Sequence, residues 1–423
     1  MTLPGSPFLA YRGDDLHLEG VSLKALAQAH GTPLYVYSRQ AMLAALAPYQ
    51  KALAGRPHLV CYAVKANSNL AVLQTFAEAG CGFDIVSGGE LARVLAAGGD
   101  PAKVVFFGVG KTRAEMRQAL EAGVRCFNVE STAELEVLSE VAAAAGRTAQ
   151  VSLRVNPDVD AGTHPYISTG LKGNKFGVAH EQAVATYRRA AELPGLAVTG
   201  IDCHIGSQIT EVAPYLDALD RVLDLVEAIE AAGVPIHHID LGGGLGITYT
   251  DEAPPAADAL IGQLLARIDA RGHGHREVLF EPGRSLVGNA GVLLTEVMYL
   301  KPGEQKNFCV VDAAMNDLAR PALYEAWMAI VNTSVRQGDA PVWDVVGPVC
   351  ESGDWLGRDR ALNVQAGDVL AVLSAGAYGM TMASNYNTRG RAAELMVDGE
   401  QVWVVREREQ AADLFKLEKR LPR

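Results

Sequence analysis

The sequence lacks the features that mark secreted, membrane-spanning and nucleic-acid-binding proteins. Its formal net charge is −12 over 423 residues, so no broad basic surface is available to attract nucleic acid or anionic lipid. No uncharged apolar run is long enough to cross a bilayer. Residues 1–10 also lack a basic segment followed by an apolar one, as a secretion signal would have. We therefore expect a cytoplasmic protein that binds neither nucleic acid nor membrane.

Cysteine is scarce and scattered. The six cysteines include no Cys-x-x-Cys pair, which excludes the common zinc-finger and thiol-redox patterns. We expect them to be reduced thiols, as in other cytoplasmic proteins, and most of them to be small core residues. No metal site is predicted.

The chain does contain a regular alternation of strand-like and helix-like segments. A strand is expected at Leu34–Tyr37 and a helix at Arg39–Leu53. Apolar runs typical of buried strands then recur at Leu59–Val64, Gly82–Val86, Val104–Phe107, Arg125–Val129, Val151–Val155, Val198–His204, His237–Leu241 and Val278–Phe280. Helical patterns separate them, and eight such units over roughly 230 residues match a (β/α)₈ barrel. An open doubly wound parallel sheet is the alternative.

After Arg284 the pattern changes to short β-like runs separated by turns. Such runs indicate an antiparallel β domain, here with one helical insert at about Ala322–Ile330. We therefore predict an α/β protein of three parts. Residues 1–33 form an N-terminal segment that packs on the β domain, residues 34–287 form the barrel, and residues 288–423 form the C-terminal β domain.

The residues that follow the predicted barrel strands are the candidates for chemistry, because the active sites of barrels lie at the carboxyl ends of the strands. Lys65 follows the first strand, Asp84 lies near the end of the second and His204 ends the sixth. The runs 242–244 and 281–284 follow the seventh and eighth. Each has a structural explanation taken alone, since a lysine can simply reach into water and a glycine run can be only a turn. Five such features at one rim indicate a single site.

Two of these features suggest a specific chemistry. A lysine on an interior face favours its neutral amine, which is a nucleophile towards carbonyl groups. The triple glycine 242–244 has the position of the usual phosphate site of barrels, formed by the loops after the seventh and eighth strands, and glycine amides can approach an anion closely. It is neither a Walker loop nor a dinucleotide fingerprint, because no Gly-Lys-Ser/Thr follows and the spacing differs.

Over almost its whole length the chain resembles the barrel-type pyridoxal-phosphate decarboxylases. The motifs that carry the resemblance occur in the order seen in that family: Tyr62–Asn67, His204–Gln208, the triple glycine, Glu281–Arg284 and Cys350–Asp354. Within the family, the stretches 163–170, 320–326 and 384–387 are most similar to the diaminopimelate decarboxylases. The resemblance implies pyridoxal 5′-phosphate as cofactor and the decarboxylation of meso-2,6-diaminopimelate to L-lysine and carbon dioxide, the last step of lysine biosynthesis.

The resemblance also assigns roles to individual residues. Lys65 would carry the cofactor covalently, with Asp84 beside it, while His204 would stack on the ring. Glu281 would meet the ring nitrogen and keep it protonated. The phosphate would be held by Ser207, Gly243, Gly244, Gly283, Arg284 and Tyr378. The substrate would be bound by Arg284, Arg320, Tyr324, Glu351 and Tyr378.

Cys350 is the residue that the resemblance implies as the acid returning a proton to the substrate carbon. The alternative role for Cys350 is that of a buried structural cysteine. Its position in loop 347–354, which is interrupted by Gly and Pro residues, disfavours that role. In the family this loop reaches across a dimer interface to the neighbouring active site. The resemblance therefore implies an obligate homodimer with shared active sites.

Other functions on the same architecture stay open. A decarboxylase of ornithine, arginine or carboxynorspermidine would use the same core, although Arg320 and Glu351 suit a substrate with a second amino-acid end. Alanine racemase is less similar in the C-terminal domain. A non-catalytic regulatory homologue would have lost the cofactor, but Lys65 and Cys350 are intact. Met328 departs from the family pattern, which commonly has a histidine after the tryptophan, and this difference bears on substrate preference.

Overall fold

The computed structural model describes residues 3–160, 169 and 174–422. The chain divides into two compact units. The sheet unit comprises Met1–Met42, Thr248–Glu252 and Leu286–Arg423, and the barrel unit comprises Leu43–Ile247 and Ala253–Ser285. Among the described helices, none combines the length and apolar character needed to cross a bilayer.

The chain begins with a small antiparallel sheet of three strands, β1–β3. Ser22 caps the first helix, because its side chain accepts a hydrogen bond from the Ala25 amide. The elements of this region are β1 (Leu9–Arg12), β2 (Asp15–Leu18), β3 (Val21–Ser22), α1 (Leu23–His30), β4 (Leu34–Ser38) and α2 (Arg39–Leu53).

The barrel unit is a closed parallel barrel, as the sequence predicts. Its strands are β5 (His58–Ala63), β6 (Gly82–Ile85), β7 (Val104–Phe106), β8 (Cys126–Val129), β9 (Ala149–Asn156), β11 (Leu196–Asp202), β12 (His238–Asp240) and β13 (Glu277–Phe280), with the short β10 (Val178–Ala179) beside β9. The barrel closes because β13 pairs with β5 and β9 pairs with both β8 and β11.

Helices connect these strands. They are α3 (Leu70–Glu78), α4 (Gly88–Ala96), α5 (Arg113–Ala122), α6 (Thr132–Ala144), α7 (Ala183–Glu192), α8 (Ala213–Ala231) and α9 (Ala257–Ala270). Local sequence sets their ends: Thr112 and Glu115 form a capping box at the start of α5, and Gly123 ends that helix in the left-handed conformation. Inside the barrel, Leu59 and Cys61 of β5 pack in one apolar cluster with residues of β7, β8 and β13. Alternate residues of the strands therefore face the interior, as expected.

The sheet unit continues after α10 (Arg284–Val287). Its further elements are β14 (Gly291–Lys301), β15 (Phe308–Val311), α11 (Arg320–Tyr324), β16 (Ile330–Asn332), β17 (Val342–Val346), β18 (Trp355–Ala361), β19 (Val369–Val372), β20 (Ala393–Asp398), β21 (Gln401–Arg406) and α12 (Ala411–Phe415). The main sheet has the order β18-β17-β15-β14-β4-β20-β21, with β19 on β14 and β16. Most pairs are antiparallel, but β15–β17 and β4–β20 are parallel.

Two details differ from the sequence-based expectation. The helical insert is shorter than Ala322–Ile330: α11 starts at Arg320 with Pro321 in its first turn and ends where Glu325 adopts φ 53°, so a left-handed residue stops it. The strand β4 belongs to the large sheet and pairs with β14 and β20, whereas the boundary at residue 34 assigned it to the barrel. All five β4 residues are buried, so its apolar run resembles that of a barrel strand.

Candidate active site

Lys65 lies immediately beyond β5, in a single 3₁₀ turn formed by residues 64–66. Its Nζ donates a 2.6 Å hydrogen bond to Oδ2 of Asp84, which lies in the neighbouring strand β6, in register with Ala63. Asp84 is fully buried, while 40% of the Lys65 side chain is exposed. The pair therefore presents a partly exposed amine at the carboxyl end of the barrel strands, held by a buried carboxylate.

His204 follows β11 and is fixed by the glycine loop. The amide of Gly243 donates a 3.2 Å hydrogen bond to Nδ1 of His204. Burial lowers the pKa of His204 well below its ordinary value, and the positive charges of Arg154 and Lys65 lower it further. The imidazole is therefore neutral, with its proton on Nε2.

The loop after β12 requires glycine. A Cβ atom at Gly243 would overlap the carbonyl oxygen of Glu281, and one at Gly244, where φ is 100°, would lie 2.5 Å from the carbonyl oxygen of Gly206. The amide of Gly242 donates to Oδ1 of Asp240 at 2.9 Å. Without side chains, the backbone can pass close to a ligand.

The loop after β13 lies beside this glycine loop. Nη2 of Arg284 donates a 3.0 Å hydrogen bond to the Ser207 hydroxyl, and only 5% of Arg284 is exposed. Gly283 packs closely, since a Cβ there would lie 3.0 Å from the Cβ atoms of Ala63 and Ala66. A buried guanidinium, a hydroxyl and glycine amides together suit an anion such as a phosphate.

Glu281 lies buried at the end of β13, with 5% exposure. Burial raises its pKa well above the ordinary value, the charges of Asp240 and Asp84 raise it further, and Lys65 lowers it. Its Oε1 has no hydrogen-bond partner among the described residues. A buried carboxyl oxygen without a partner is costly, and a protonated ring nitrogen would satisfy it.

Sequence reasoning missed two acidic residues beside Glu281. Oxygen atoms of Asp202, Asp240 and Glu281 all lie within 4.8 Å of one another. Asp202 and Asp240 are the last residues of β11 and β12 and are fully buried. The sequence signal that could have identified them is that each of two apolar strand runs ends in an aspartate, at a position where an apolar core residue is expected.

The remaining candidates lie in the sheet unit. Arg320 is buried; its Nη1 donates a hydrogen bond to the hydroxyl of Tyr249, and its guanidinium lies 5.0 Å from the centre of that ring. Tyr249 was not singled out from the sequence. Tyr324, the last residue of α11, and Tyr378, with φ 56°, are both half-buried. Within this unit Arg320 therefore has a fixed orientation.

Cys350 differs from the other five cysteines, which are all buried, because it is exposed. This excludes a buried structural role for it. Its amide donates to Oδ1 of Asn387 at 2.9 Å. The adjacent Glu351 is also exposed, and its interaction with the side chain of Tyr386 raises the pKa of that tyrosine. Met328 is fully buried. The stretch 163–170 lies outside the described residues, apart from Thr169, whose hydroxyl donates to the carbonyl of His204.

Comparison with known proteins identifies the family. The model of the pyridoxal-dependent decarboxylases, pyridoxal binding domain, matches residues 39–288. The diaminopimelate decarboxylase of Pseudomonas aeruginosa is 61% identical over 414 residues, which cover 98% of this chain and 99% of that protein. The chain belongs to the diaminopimelate decarboxylase family of pyridoxal-dependent decarboxylases.

Solved structures of this family agree with the fold. The diaminopimelate decarboxylase of M. jannaschii has a TM-score of 0.93 and 39% identity over 99% of both chains. That of Helicobacter pylori, complexed with L-lysine, has a TM-score of 0.89 and 40% identity, covering 93% of this chain and 98% of that one. The predicted barrel followed by a mostly antiparallel sheet is confirmed.

The residues present fit pyridoxal 5′-phosphate. Lys65 offers a partly exposed amine at the carboxyl end of the barrel strands. Gly243 and Gly244 have no side chains to shield the backbone of their loop, which lies beside the loop of Arg284. The carboxyl oxygen of Glu281 that has no partner among the described residues matches a ring nitrogen that carries a proton.

Proposed function

We propose that this protein decarboxylates meso-2,6-diaminopimelate to L-lysine and carbon dioxide, using pyridoxal 5′-phosphate bound at Lys65. The observation that carries the proposal is the arrangement at one end of the barrel, where Lys65 pairs with Asp84 at 2.6 Å and His204 is held by Gly243. Relatives of 46–61% identity over nearly the full length are named diaminopimelate decarboxylases, and two solved relatives were crystallised with L-lysine.

Each of the proposed cofactor-binding residues then has a task towards the cofactor. When bound, the cofactor would accept the electron pair left by the broken carbon–carboxylate bond. Lys65 would hold it, His204 would lie against its ring as a neutral imidazole, and Glu281 would hold the proton of the ring nitrogen. The residues that would bind its phosphate are Ser207, Gly243, Gly244, Gly283, Arg284 and Tyr378.

The substrate has two amino-acid ends, so its recognition needs cations for carboxylates and an acid for the distal ammonium. We assign these tasks to Arg320 and Glu351, with contributions from Arg284, Tyr324 and Tyr378. The fixed orientation of Arg320 over Tyr249 supports this assignment, because a pre-organised guanidinium loses little freedom on binding a carboxylate.

Cys350 is proposed as the acid. When carbon dioxide leaves, the substrate carbon must form a new bond to hydrogen, and the Cys350 thiol would supply that proton. Cys350 and Glu351 are both exposed in the single chain. We infer that their loop serves the active site of a second copy, in a homodimer with shared sites.

The proposed compartment is the cytoplasm. The structure describes all six cysteines and none is in a disulfide, as is usual for proteins kept in a reducing environment.

The test of the function is a substrate panel. The purified protein with added pyridoxal phosphate is incubated separately with meso-diaminopimelate, ornithine and arginine, and carbon dioxide and amine products are measured. We expect lysine from the first and no amine from the others; Lys65→Ala is the control for a contaminating enzyme. Putrescine or agmatine would instead indicate a related decarboxylase. Cofactor binding without any product would indicate a non-catalytic homologue.

A further inference from the structure

The barrel interior beneath the proposed cofactor site contains a cluster of three carboxyl groups. Asp202 and Asp240 are in register on neighbouring parallel strands, Glu281 follows the next strand, and oxygens of the three groups lie within 4.8 Å of one another. Among the described residues, neither oxygen of Asp202 has a hydrogen-bond partner, nor does Oδ2 of Asp240. Three negative charges at this separation in the buried interior of the barrel would repel strongly.

A buried amide side chain, that of Asn128, also lies beside this cluster. Asn128 is fully buried, and its side chain lies close enough to Asp240 to affect its pKa. Neither polar atom of the Asn128 side chain makes a well-formed hydrogen bond to a described residue. The carboxyl group of Glu281 likewise lies close enough to Asp240 to affect its pKa. Two carboxyl groups this close together repel each other unless one of them carries a proton.

Nearby cations do not neutralise the cluster, because each faces another carboxylate. Lys65 pairs with Asp84 at 2.6 Å and Arg154 lies 3.6 Å from Glu130. Other titratable groups near the cluster stay neutral: burial raises the pKa values of Cys61, Cys126, Cys203 and Tyr187 and lowers that of His238, in β12, to about 3. Arg125, which is also near, pairs with Glu277. The nearby cations of the described barrel residues are thus paired with other carboxylates. The negative charge of the cluster must therefore be reduced by protonation of its own carboxyl groups.

We propose that Asp202 and Asp240 are positioning residues for Glu281: Asp202 keeps its proton at neutral pH, and the single negative charge on Asp240 holds a second proton on Glu281. Asp240 is the member best suited to carry the charge, because the Gly242 amide donates to it at 2.9 Å. The pKa shifts of the three carboxyl groups agree with this assignment. Burial and neighbouring charge raise those of Asp202 and Glu281 well above the ordinary range, while that of Asp240 rises only to about 6.

The consequence for the cofactor rests on the proposed function. If Glu281 faces the ring nitrogen, the free site already contains the proton that this nitrogen needs. Cofactor binding then requires no proton from solution for the ring.

Asp202 is tested by carbon NMR of the holoenzyme with ¹³C in its aspartate carboxyl groups. At pH 8 we expect one aspartate signal that keeps the position of a neutral acid, is lost in Asp202→Asn and persists in Asp317→Asn. Asp317 is the matched control, because burial raises its pKa only to about 6. If Asp202→Asn does not fold, Asp202→Glu, which keeps an acid but carries no label, serves instead. A spectrum with only ionised aspartates at pH 8, or a neutral signal that survives both substitutions, overturns the proposal.

The role of Asp240 is tested by calorimetry of cofactor binding in buffers of different ionisation enthalpy. Without the charge on Asp240, the pKa of Glu281 falls towards the value that burial and the other charges set, so above neutral pH Asp240→Asn should take up more protons on binding than the wild type. Equal uptake would overturn the role of Asp240. Neither measurement uses turnover, so a failure of the substrate panel and a failure of this inference are distinguishable.

Discussion

The backbone amide of Gly243 donates a 3.2 Å hydrogen bond to Nδ1 of His204. Because an amide can only donate, Nδ1 is an acceptor, and the histidine proton must lie on Nε2. Burial already lowers the pKa of this ring well below its ordinary value. The glycine loop and the imidazole thus fix each other, which links the proposed phosphate site to the proposed ring contact.

Gly243→Ala should weaken cofactor binding and destabilise the fold. The new Cβ would overlap the Glu281 carbonyl oxygen, so the loop must move and the hydrogen bond to His204 lengthens. We expect a loss of about 1–3 kcal/mol in the free energy of unfolding, together with a weaker cofactor affinity, measured by denaturant titration and cofactor absorbance. Wild-type affinity in this variant would contradict the assignment of the phosphate loop.

Gly262→Ala is the matched control for that substitution. Gly262 lies exposed in the middle of α9, and a Cβ there meets nothing within 4 Å. Alanine is the better helix former, so this variant should gain about 0.5–1 kcal/mol in the free energy of unfolding. Its cofactor affinity should equal that of the wild type.

Glu90 should make the stability of the protein depend on pH. Burial raises its pKa from 4.5 to about 7, opposed by a hydrogen bond from the Val86 amide. Since the folded-state pKa is raised, the stabilisation is present below about pH 4.5 and is lost as pH rises from there to about 7. The loss is at most about 1.4 kcal/mol per pH unit. Thermal unfolding is measured between pH 4.5 and 8. Over this range the melting temperature of Glu90→Gln should fall less steeply with rising pH than that of the wild type.

Glu115→Gln provides a control of opposite sign. Glu115 occupies the same position in its helix, but hydrogen bonds from the Gly88 and Thr112 amides lower its pKa. Its stabilisation is present at neutral pH and is lost in acid, so this variant should be destabilised mainly at neutral pH. If the stability of the two variants changed with pH in the same way, Glu90 would not be the group that causes the pH dependence.

Cys350→Ala should retain the cofactor and lose most turnover, because the proposed acid is absent. The side chain is exposed, so the substitution leaves no cavity in the core and stability should change little. Cofactor absorbance, thermal unfolding and lysine formation are measured on the same preparation. Near-normal turnover would remove Cys350 from the role of acid.

Arg320→Ala should raise KM for meso-diaminopimelate roughly 10- to 100-fold, the range expected when a hydrogen-bonded charge pair is lost. Arg358→Ala is the matched control, because Arg358 also lies over an aromatic ring, at 4.1 Å from Trp355, but is exposed. Its KM should stay near that of the wild type. Equal effects of the two substitutions would indicate a general loss of packing instead of a lost substrate contact.

The barrel could be predicted because its signal is local and repeated. Parallel strands buried on both faces appear as apolar runs, and helices between them have a 3.6-residue period. The strand β4 carries the same apolar signal, so only its pairing with β14 and β20 shows where it belongs. The strand β18 could not be found from the sequence, because only three of its seven residues are buried and they do not alternate with exposed ones.

The site could be predicted where motifs concentrate at strand ends, as at Lys65, His204 and Glu281. Asp202 and Asp240 could not, because an acidic residue at the end of an apolar run shows its importance only when three strands bring the carboxyl groups together. Tyr249 was missed for a similar reason, since its contact with Arg320 joins residues that are 71 positions apart.

The identity of the lysine that carries the cofactor tests the account most directly. The holoenzyme is reduced with borohydride, digested and mapped by mass spectrometry, with Lys65→Ala treated in parallel. The account predicts one pyridoxyl label, on Lys65, and none in the variant. A label on another lysine in the wild type would contradict it.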